Sequence, residues 1–271
     1  MVVGGNEDRE HDKRVLRRFV ELAGRPDPRI VVLTAAGAEP EGLCEVYRRA
    51  FAGLGVAQCA HLALASREEA NDPKAADRIL TADSIFITGS DQKRLLAVVG
   101  GTAVDRALQQ AFRRMGKCIA GTSAGASALS QHMMQDGAGV ESPAAHSLAA
   151  GLGLLQRVVI DQHFSERQRL GRLLQVVAQN PTLVGVGIDE DTALVAEGGE
   201  FRVVGAGAVT VLDLGSALAN NALELAAGEH LGICDVRMHL LPEGYRFRLA
   251  DRTPLPPPAK PSRGADADAP D

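Results

Sequence analysis

The chain has 271 residues, of which 45% are hydrophobic, 23% charged and 3% aromatic, with a formal net charge of −5. That length and apolar share support one sizeable core. The mild acidity, and the lack of any basic block interleaved with aromatics, exclude a nucleic-acid-binding face.

In chain order, MVVGG reads as a short strand running into a glycine turn. The residues after it lack the apolar h-region of a signal peptide, and no apolar run approaches bilayer length, so a cytoplasmic protein without a membrane partner is expected. Val15, Leu16, Phe19, Val20 and Leu22 then recur at helical spacing. RIVVLTAAG is a continuous apolar run of the kind found in strands buried on both faces. In EGLCEVYRRAFAGLG, Leu43, Val46, Tyr47, Ala50, Phe51 and Leu54 mark a helix that ends in glycine. DSIFITGSDQ is a second buried strand, QKRLLAVVGGTAVDRALQQAFRRMG a helical stretch with a glycine interruption, and KCIAG a third strand. Strands alternating with helices predict parallel βαβ units in a layered α/β domain, whose strand tips converge on a site.

The pattern returns with the strand QRVVIDQHF and the helix SERQRLGRLLQVVAQN, where Ser165 and Gln168 stand at capping-box spacing. LVGVGI is another strand. Beyond it come short β segments, with Glu197-Gly198-Gly199-Glu200 as a two-residue hairpin turn. These predict an antiparallel β extension to the same sheet-based domain. The expected organisation is one α/β domain over residues 1–252 and a disordered Pro-rich tail over 253–271. Cys44, Cys59, Cys118 and Cys234 are scattered, with no CxxC and no histidine at ligand spacing, so neither a disulfide framework nor a zinc site is expected.

Gly121-Thr122-Ser123-Ala124-Gly125 satisfies G-x-S-x-G. An abrupt strand-to-helix turn strains its central residue, and glycines on both sides remove Cβ clashes and leave the serine hydroxyl exposed. The same small residues also suit a helix packed closely on a sheet, so the motif alone serves both readings. A serine nucleophile needs a base and an orienting carboxylate. Among the seven histidines, His163 ends a buried strand, and Asp189-Glu190-Asp191 end another. Two orders compete. The α/β-hydrolase order would take Asp189 or Glu190 and then His239. The other takes Ser123, His163 and Glu190, and it is preferred because all three then lie at strand ends, whereas His239 falls inside a strand-like segment.

GTSAGA, DQHF and GIDEDTA, with TGSDQ upstream and GGNED at the start, resemble the cyanophycinases, serine peptidases related to aspartyl dipeptidase E. The resemblance runs from Gly4 to about residue 250. It implies a fold like the class I glutamine amidotransferases, with serine where those use cysteine. It implies hydrolysis of the poly-Asp backbone of cyanophycin, whose β-carboxyls carry Arg, to β-Asp-Arg dipeptides, with no cofactor or metal and as a homodimer. By that resemblance Ser123 is the nucleophile, His163 the base and Glu190 the orienting acid. Gln92, Asp161 and Gln162 match pocket positions, and Arg167, Arg169 and Arg172 match substrate-contacting arginines. Arg forks suit carboxylates, and a carboxylate such as Asp161 suits a guanidinium. Backbone N–H groups of Ser90 and Ala124 would form the oxyanion hole, with Ser90 standing where the family usually has glycine. A dipeptidase acting on aspartyl or isoaspartyl peptides with the same triad, and a catalytically silent binding protein, are the rival readings.

Overall fold

The apolar runs become strands because each can be covered on both faces. The structure is a computed structural model that describes residues 1–35, 40–89, 91–134, 147–224 and 229–257. The first half carries β1 (Val2–Val3), α1 (Arg14–Leu22), β2 (Arg29–Ala35), α2 (Pro40–Ala52), β3 (Gln58–Leu64), α3 (Arg67–Asn71), α4 (Pro73–Thr81) and β4 (Ser84–Thr88). It continues through α5 (Gln92–Val99), α6 (Ala103–Arg113), β5 (Cys118–Thr122), α7 (Ala124–Ala128), β6 (His132–Met134) and β7 (Leu148–Ala150). The second half carries β8 (Val158–Gln162), α8 (Leu170–Gln179), β9 (Val184–Ile188), β10 (Thr192–Glu197), β11 (Glu200–Gly205) and β12 (Ala208–Asp213). Last come β13 (Ala219–Asn220), β14 (Ile233–Cys234), β15 (Arg237–Pro242), β16 (Arg246–Arg248) and β17 (Thr253–Leu255).

The main sheet runs β17-β16-β11-β10-β1-β5-β4-β2-β3. Neighbours from β1 to β3 pair in parallel, and those from β1 to β17 are antiparallel. The expected antiparallel extension is therefore present, and Glu197 pairs with Glu200 across Gly198 (φ 58°) and Gly199 (φ 81°), the two left-handed residues a tight hairpin requires. A second sheet, β15-β12-β9-β8, pairs β8 with β9 in parallel and the rest antiparallel.

These sheets build layers. On one face of the main sheet, α1 and α2 bury Val15, Leu16, Phe19, Tyr47 and Phe51 against Val3, Val32, Phe86 and Ala193. Phe86 packs edge-on to Phe19 and Phe51, with ring centroids 5.2 and 5.7 Å away. On the other face lie α4 to α7 and the inner side of the second sheet, which contributes Val158, Ile160, Val186, Ile188, Val209, Val211 and Leu241. The outer side of that sheet packs on α8 through Val159, Leu173, Val176, Val177 and Leu212. The period-2 alternation of VGVGI explains this position. Its valines and Ile188 face the main sheet, while Gly185 and Gly187 face α8 and Phe164, where any Cβ would strike Leu173, Val177 or the Phe164 ring.

Several expectations change. Val46 is 42% exposed and does not join the buried face of α2. The stretch read as one interrupted helix is two, α5 and α6, separated at Gly100-Gly101 and restarted by Thr102, whose side chain caps Asp105 N–H. The chain also stays in the fold past residue 252, since Thr253–Leu255, expected in the tail, pairs with β16. Residues 258–271 lie outside the described residues. No helix among the described residues is long and apolar enough to cross a membrane.

Candidate active site

Four strand tips meet where the two sheets touch. β1 lies between β5 and β10 in the main sheet, and its continuation reaches β8 and β9 of the second sheet. Ser123 N–H donates to Val3 C=O (3.2 Å), His163 N–H to Gly4 C=O (2.8 Å) and Asp191 N–H to Gly5 C=O (3.0 Å). The segment after β1 thus holds the ends of β5, β8 and β9 together.

Ser123 follows β5 directly and precedes α7, with φ 53° and ψ −119°. That conformation is strained for a residue with a side chain and costs about 1–3 kcal/mol. The flanking glycines are required by close approach: a Cβ at Gly121 would collide with the Gly125 carbonyl, and one at Gly125 with the Ile87 carbonyl. Both readings of the small-residue stretch apply together, since Ala126 and Ala128 are fully buried against the sheet. Ser127 Oγ ties α7 to β8 by donating to Ile160 C=O (3.3 Å). The first N–H groups of α7, including that of Ala124, have no carbonyl one turn earlier in the helix.

Ser123 Oγ lies 3.1 Å from His163 Nε2, and His163 Nδ1 lies 2.6 Å from Glu190 Oε1. His163 has φ 47° and is 8% exposed. Gly5, with φ 98°, lies against its imidazole so closely that no Cβ fits. Below the ring, Phe164 packs on Gly187. Glu190 Oε2 accepts from Asn6 Nδ2 at 2.7 Å. Burial alone would raise the Glu190 carboxyl, but hydrogen bonds from Asn6 and His163, with the charge of Arg167, outweigh it and hold it below the usual range. Its neighbours are used differently. Asp189 accepts from Ser165 N–H and Oγ and from Ala208 N–H, and Asp191 accepts from Asp8 N–H. His239 sits on β15, facing Phe247 at 5.8 Å.

The expected substrate residues form a connected group. Asp161, 1% exposed, accepts from Arg169 Nη1 (3.0 Å) and from Arg172 Nε (2.6 Å) and Nη2. Arg169 also donates to the Gln162 carbonyl (2.6 Å) and its side-chain oxygen. Gln162 Nε2 lies 3.5 Å from Gln92 Oε1, and Gln92 Nε2 donates to Met134 C=O. The Asp161 carboxylate is therefore engaged by arginines of its own chain. The capping box at Ser165 and Gln168 does not form. Gln168 is left-handed (φ 53°), α8 starts at Leu170 with Arg169 at its N-cap, and Arg167 lies in the turn before it, exposed. Ser90 lies outside the described residues.

In the sequence GGNED carries part of the family resemblance but gives Glu7 no role. Only 2% exposed, it accepts from Thr122 Oγ1 (2.7 Å), next to Ser123, and from the Tyr47 hydroxyl. A buried acid between two hydroxyls has no periodic signature, so only the fold reveals it. A 490 Å³ cavity lined by Met1, Phe112, Cys118, Ile119, Val195 and Phe201 lies at the start of β5, at the opposite end of that strand from Ser123.

A family model described as "Peptidase family S51" matches residues 1–204. A curated "Cyanophycinase" of Trichormus variabilis is 37% identical over 259 residues, spanning 94% of this chain and 87% of that protein. Another, of Geminocystis herdmanii, is 33% identical over 258 residues, spanning 94% of this chain and 95% of that protein. A solved structure described as a peptidase from an acI-B1 Actinobacterium superposes with a TM-score of 0.68 at 21% identity, covering 91% of this chain and 94% of that one, and so shares the fold.

Proposed function

The chain belongs to peptidase family S51 and is a serine-type peptidase, and on that premise we propose that it is a cyanophycinase, hydrolysing the poly-Asp backbone of cyanophycin to β-Asp-Arg dipeptides. The observation that carries this reading is the unbroken contact from Ser123 through His163 to Glu190 at three strand tips. Ser123 Oγ attacks the scissile carbonyl while His163 Nε2 takes its proton. Glu190 holds Nδ1–H, fixing the tautomer and supporting the imidazolium. His163 then gives the proton to the leaving amine, and water hydrolyses the acyl-enzyme through the same base. The oxyanion is taken by the N–H of Ala124, at the start of α7, and that of Ser90.

Arg167 lies exposed beside Glu190 and serves as the bidentate contact for substrate carboxylates. Arg169, Arg172, Gln162 and Gln92 form the wall of the substrate site, held in shape by Asp161. The reading treats residues 1–252 and the β17 edge as one peptidase domain of the class I glutamine amidotransferase type, with serine at the strand–helix turn where those enzymes carry cysteine. It also carries a cytoplasmic homodimer that needs no cofactor. Incubating purified cyanophycin with the wild type and Ser123→Ala tests the assignment. The wild type releases β-Asp-Arg, detected by mass spectrometry, and the variant releases none. Release by the variant at the wild-type rate overturns the nucleophile, and a wild type that cleaves only short aspartyl peptides overturns the substrate.

A further inference from the structure

The segment Val3–Asp8 touches Ser123, His163 and Glu190 in turn, yet the reaction described above gives its side chains nothing to do. Its backbone carries the ends of β8 and β9, as described, and Glu7 anchors it to Thr122 and Tyr47. Asp8 anchors it again by donating N–H to Asp191 Oδ1 (2.9 Å). Just before these anchors the backbone is left-handed twice in succession, at Gly5 (φ 98°) and Asn6 (φ 47°). Glycine is needed at the first because His163 fills the space of its Cβ. At the second, asparagine is among the few residues that tolerate the conformation. The result is an exposed amide held on a rigid mount and aimed at Glu190.

We propose that Asn6 is a positioning residue of the triad, clamping Glu190 so that Oε1 stays on His163 Nδ1. The two carboxylate oxygens divide the work: Oε1 takes His163 Nδ1 at 2.6 Å and Oε2 takes Asn6 Nδ2 at 2.7 Å. The terminal torsion of a glutamate is broad and has no strong rotamer well of its own. The Glu190 side chain is 28% exposed, with the Arg167 charge nearby. Without the amide, rotation toward water or Arg167 takes Oε1 off the imidazole. The remaining charged groups near it are Glu166, whose Oε1 accepts the Glu190 N–H (3.2 Å), and the adjacent Asp189 and Asp191, which are held by Ser165, Ala208 and Asp8. None of these reaches Oε2 in the structure. The clamp also joins the two sheets, since Asn6 follows β1 and Glu190 follows β9.

The proposal rests on the serine-triad reading, so its test reads the nucleophile directly as well as through substrate. Asn6→Ala, Asn6→Gly and Asn6→Asp are compared with the wild type for the rate of Ser123 phosphonylation by a fluorophosphonate, for kcat and KM on cyanophycin, and for Tm. Asn6→Gly keeps the left-handed backbone and removes only the amide. Both neutral variants are expected to lose about 10- to 100-fold in labelling rate and in kcat, the scale of a misplaced catalytic group, with KM and Tm close to wild type. Asn6→Asp sets a second carboxylate against Oε2, which loses more activity at neutral pH. It recovers relative to wild type as pH falls, because the pair then shares one proton and the clamp is remade. A merely structural residue gives no such pH-dependent recovery. Labelling of Asn6→Gly within twofold of wild type overturns the proposal, as does a loss that tracks a fall in Tm. A wild type that takes no label overturns the triad and this inference with it. A wild type that labels but leaves cyanophycin intact overturns only the substrate, and Asn6 is still read by the label.

Discussion

Ser123, His163 and Asn6 all have positive φ, at 53°, 47° and 47°, and each follows a strand of the site directly or within three residues. Backbone strain is concentrated where side chains must be aimed, and the packing of two sheets holds it in place. Asp161 and Arg167 show how two residues of similar sequence appearance take different work. Asp161 is buried among arginines, and Arg167 is exposed at the rim. Asp161→Asn removes the charge that Arg169 and Arg172 share, and breaking a buried pair of this kind costs about 3–5 kcal/mol, so thermal melting is expected to fall by several degrees. Arg167→Ala leaves melting nearly unchanged and raises KM for the polymer with little effect on kcat, as loss of a surface substrate contact should. Melting and steady-state kinetics on both variants check the division. Opposite results, with Arg167→Ala unfolding and Asp161→Asn altering only KM, would reverse the assignment. That Ser123, His163 and Glu190 stand at strand ends was legible in the sequence because each follows an apolar run. The commitment of Asp161 to two arginines was not, since nothing in DQHFSERQRLGR separates an internal ion pair from a substrate contact.

At the level of elements, the strand VGVGI does two things at once. Its branched residues fill the space between sheets, and its glycines let Phe164 and α8 come close. Because His163 immediately precedes Phe164, a displacement of that ring is expected to move the imidazole with it. Gly187→Ala would place a methyl inside the Phe164 ring, and overpacking of this kind costs about 1–3 kcal/mol. The ring must move, and His163 with it, so kcat is expected to fall more than stability alone explains. Adding Phe164→Leu to the variant reopens the space and should restore melting in part; a Gly187→Ala enzyme with wild-type kcat would show that Phe164 does not set the base. The elements themselves were legible wherever both faces are apolar, as in β2, β4, β5, β8 and β9. β3 is half exposed along one edge of the main sheet, with only Leu62 and Leu64 buried, and its mixed pattern gave no strand signal. β6 and β7 are three residues each and pair only with one another, too short for a period to show. The start of α8 was misplaced because Ser165, which has the residue type of a cap, spends its hydroxyl on Asp189.

For the whole molecule, the division into two sheets was not legible, because β8 and β9 look like further members of one parallel sheet until β12 and β15 pair with them. That division gives the protein a seam, closed at the active-site end by the β1 segment and by the Asn6–Glu190–His163 contacts. One of these contacts carries a charge at Glu190, so acid stability reads what that carboxylate adds to the apolar packing of the seam. Asp8 is lowered by backbone N–H groups of His11, Lys13 and Glu10, Glu45 by Arg48 and Arg49, and Asp251 by Arg248. Glu190 is lowered despite its burial, as described. A carboxyl lowered in the folded state contributes stability that is fully present above its unfolded pKa, about 4, and is lost as pH falls through the folded value. Asp191 is raised, chiefly by burial, and has the opposite sign, so it offsets part of the loss. Tm is therefore expected to hold from pH 7 to about 5 and to fall below about 4. The surface share, from Asp8, Glu45 and Asp251, is screened and should shrink in 1 M salt, whereas the share of the partly buried Glu190 should persist. Glu190→Gln removes a group that titrates between the sheets, so its Tm should fall less steeply with acid than the wild type, measured in high salt by circular dichroism. Identical acid slopes for the two proteins would mean that the seam is held by apolar packing alone and that the triad carboxylate adds nothing to it.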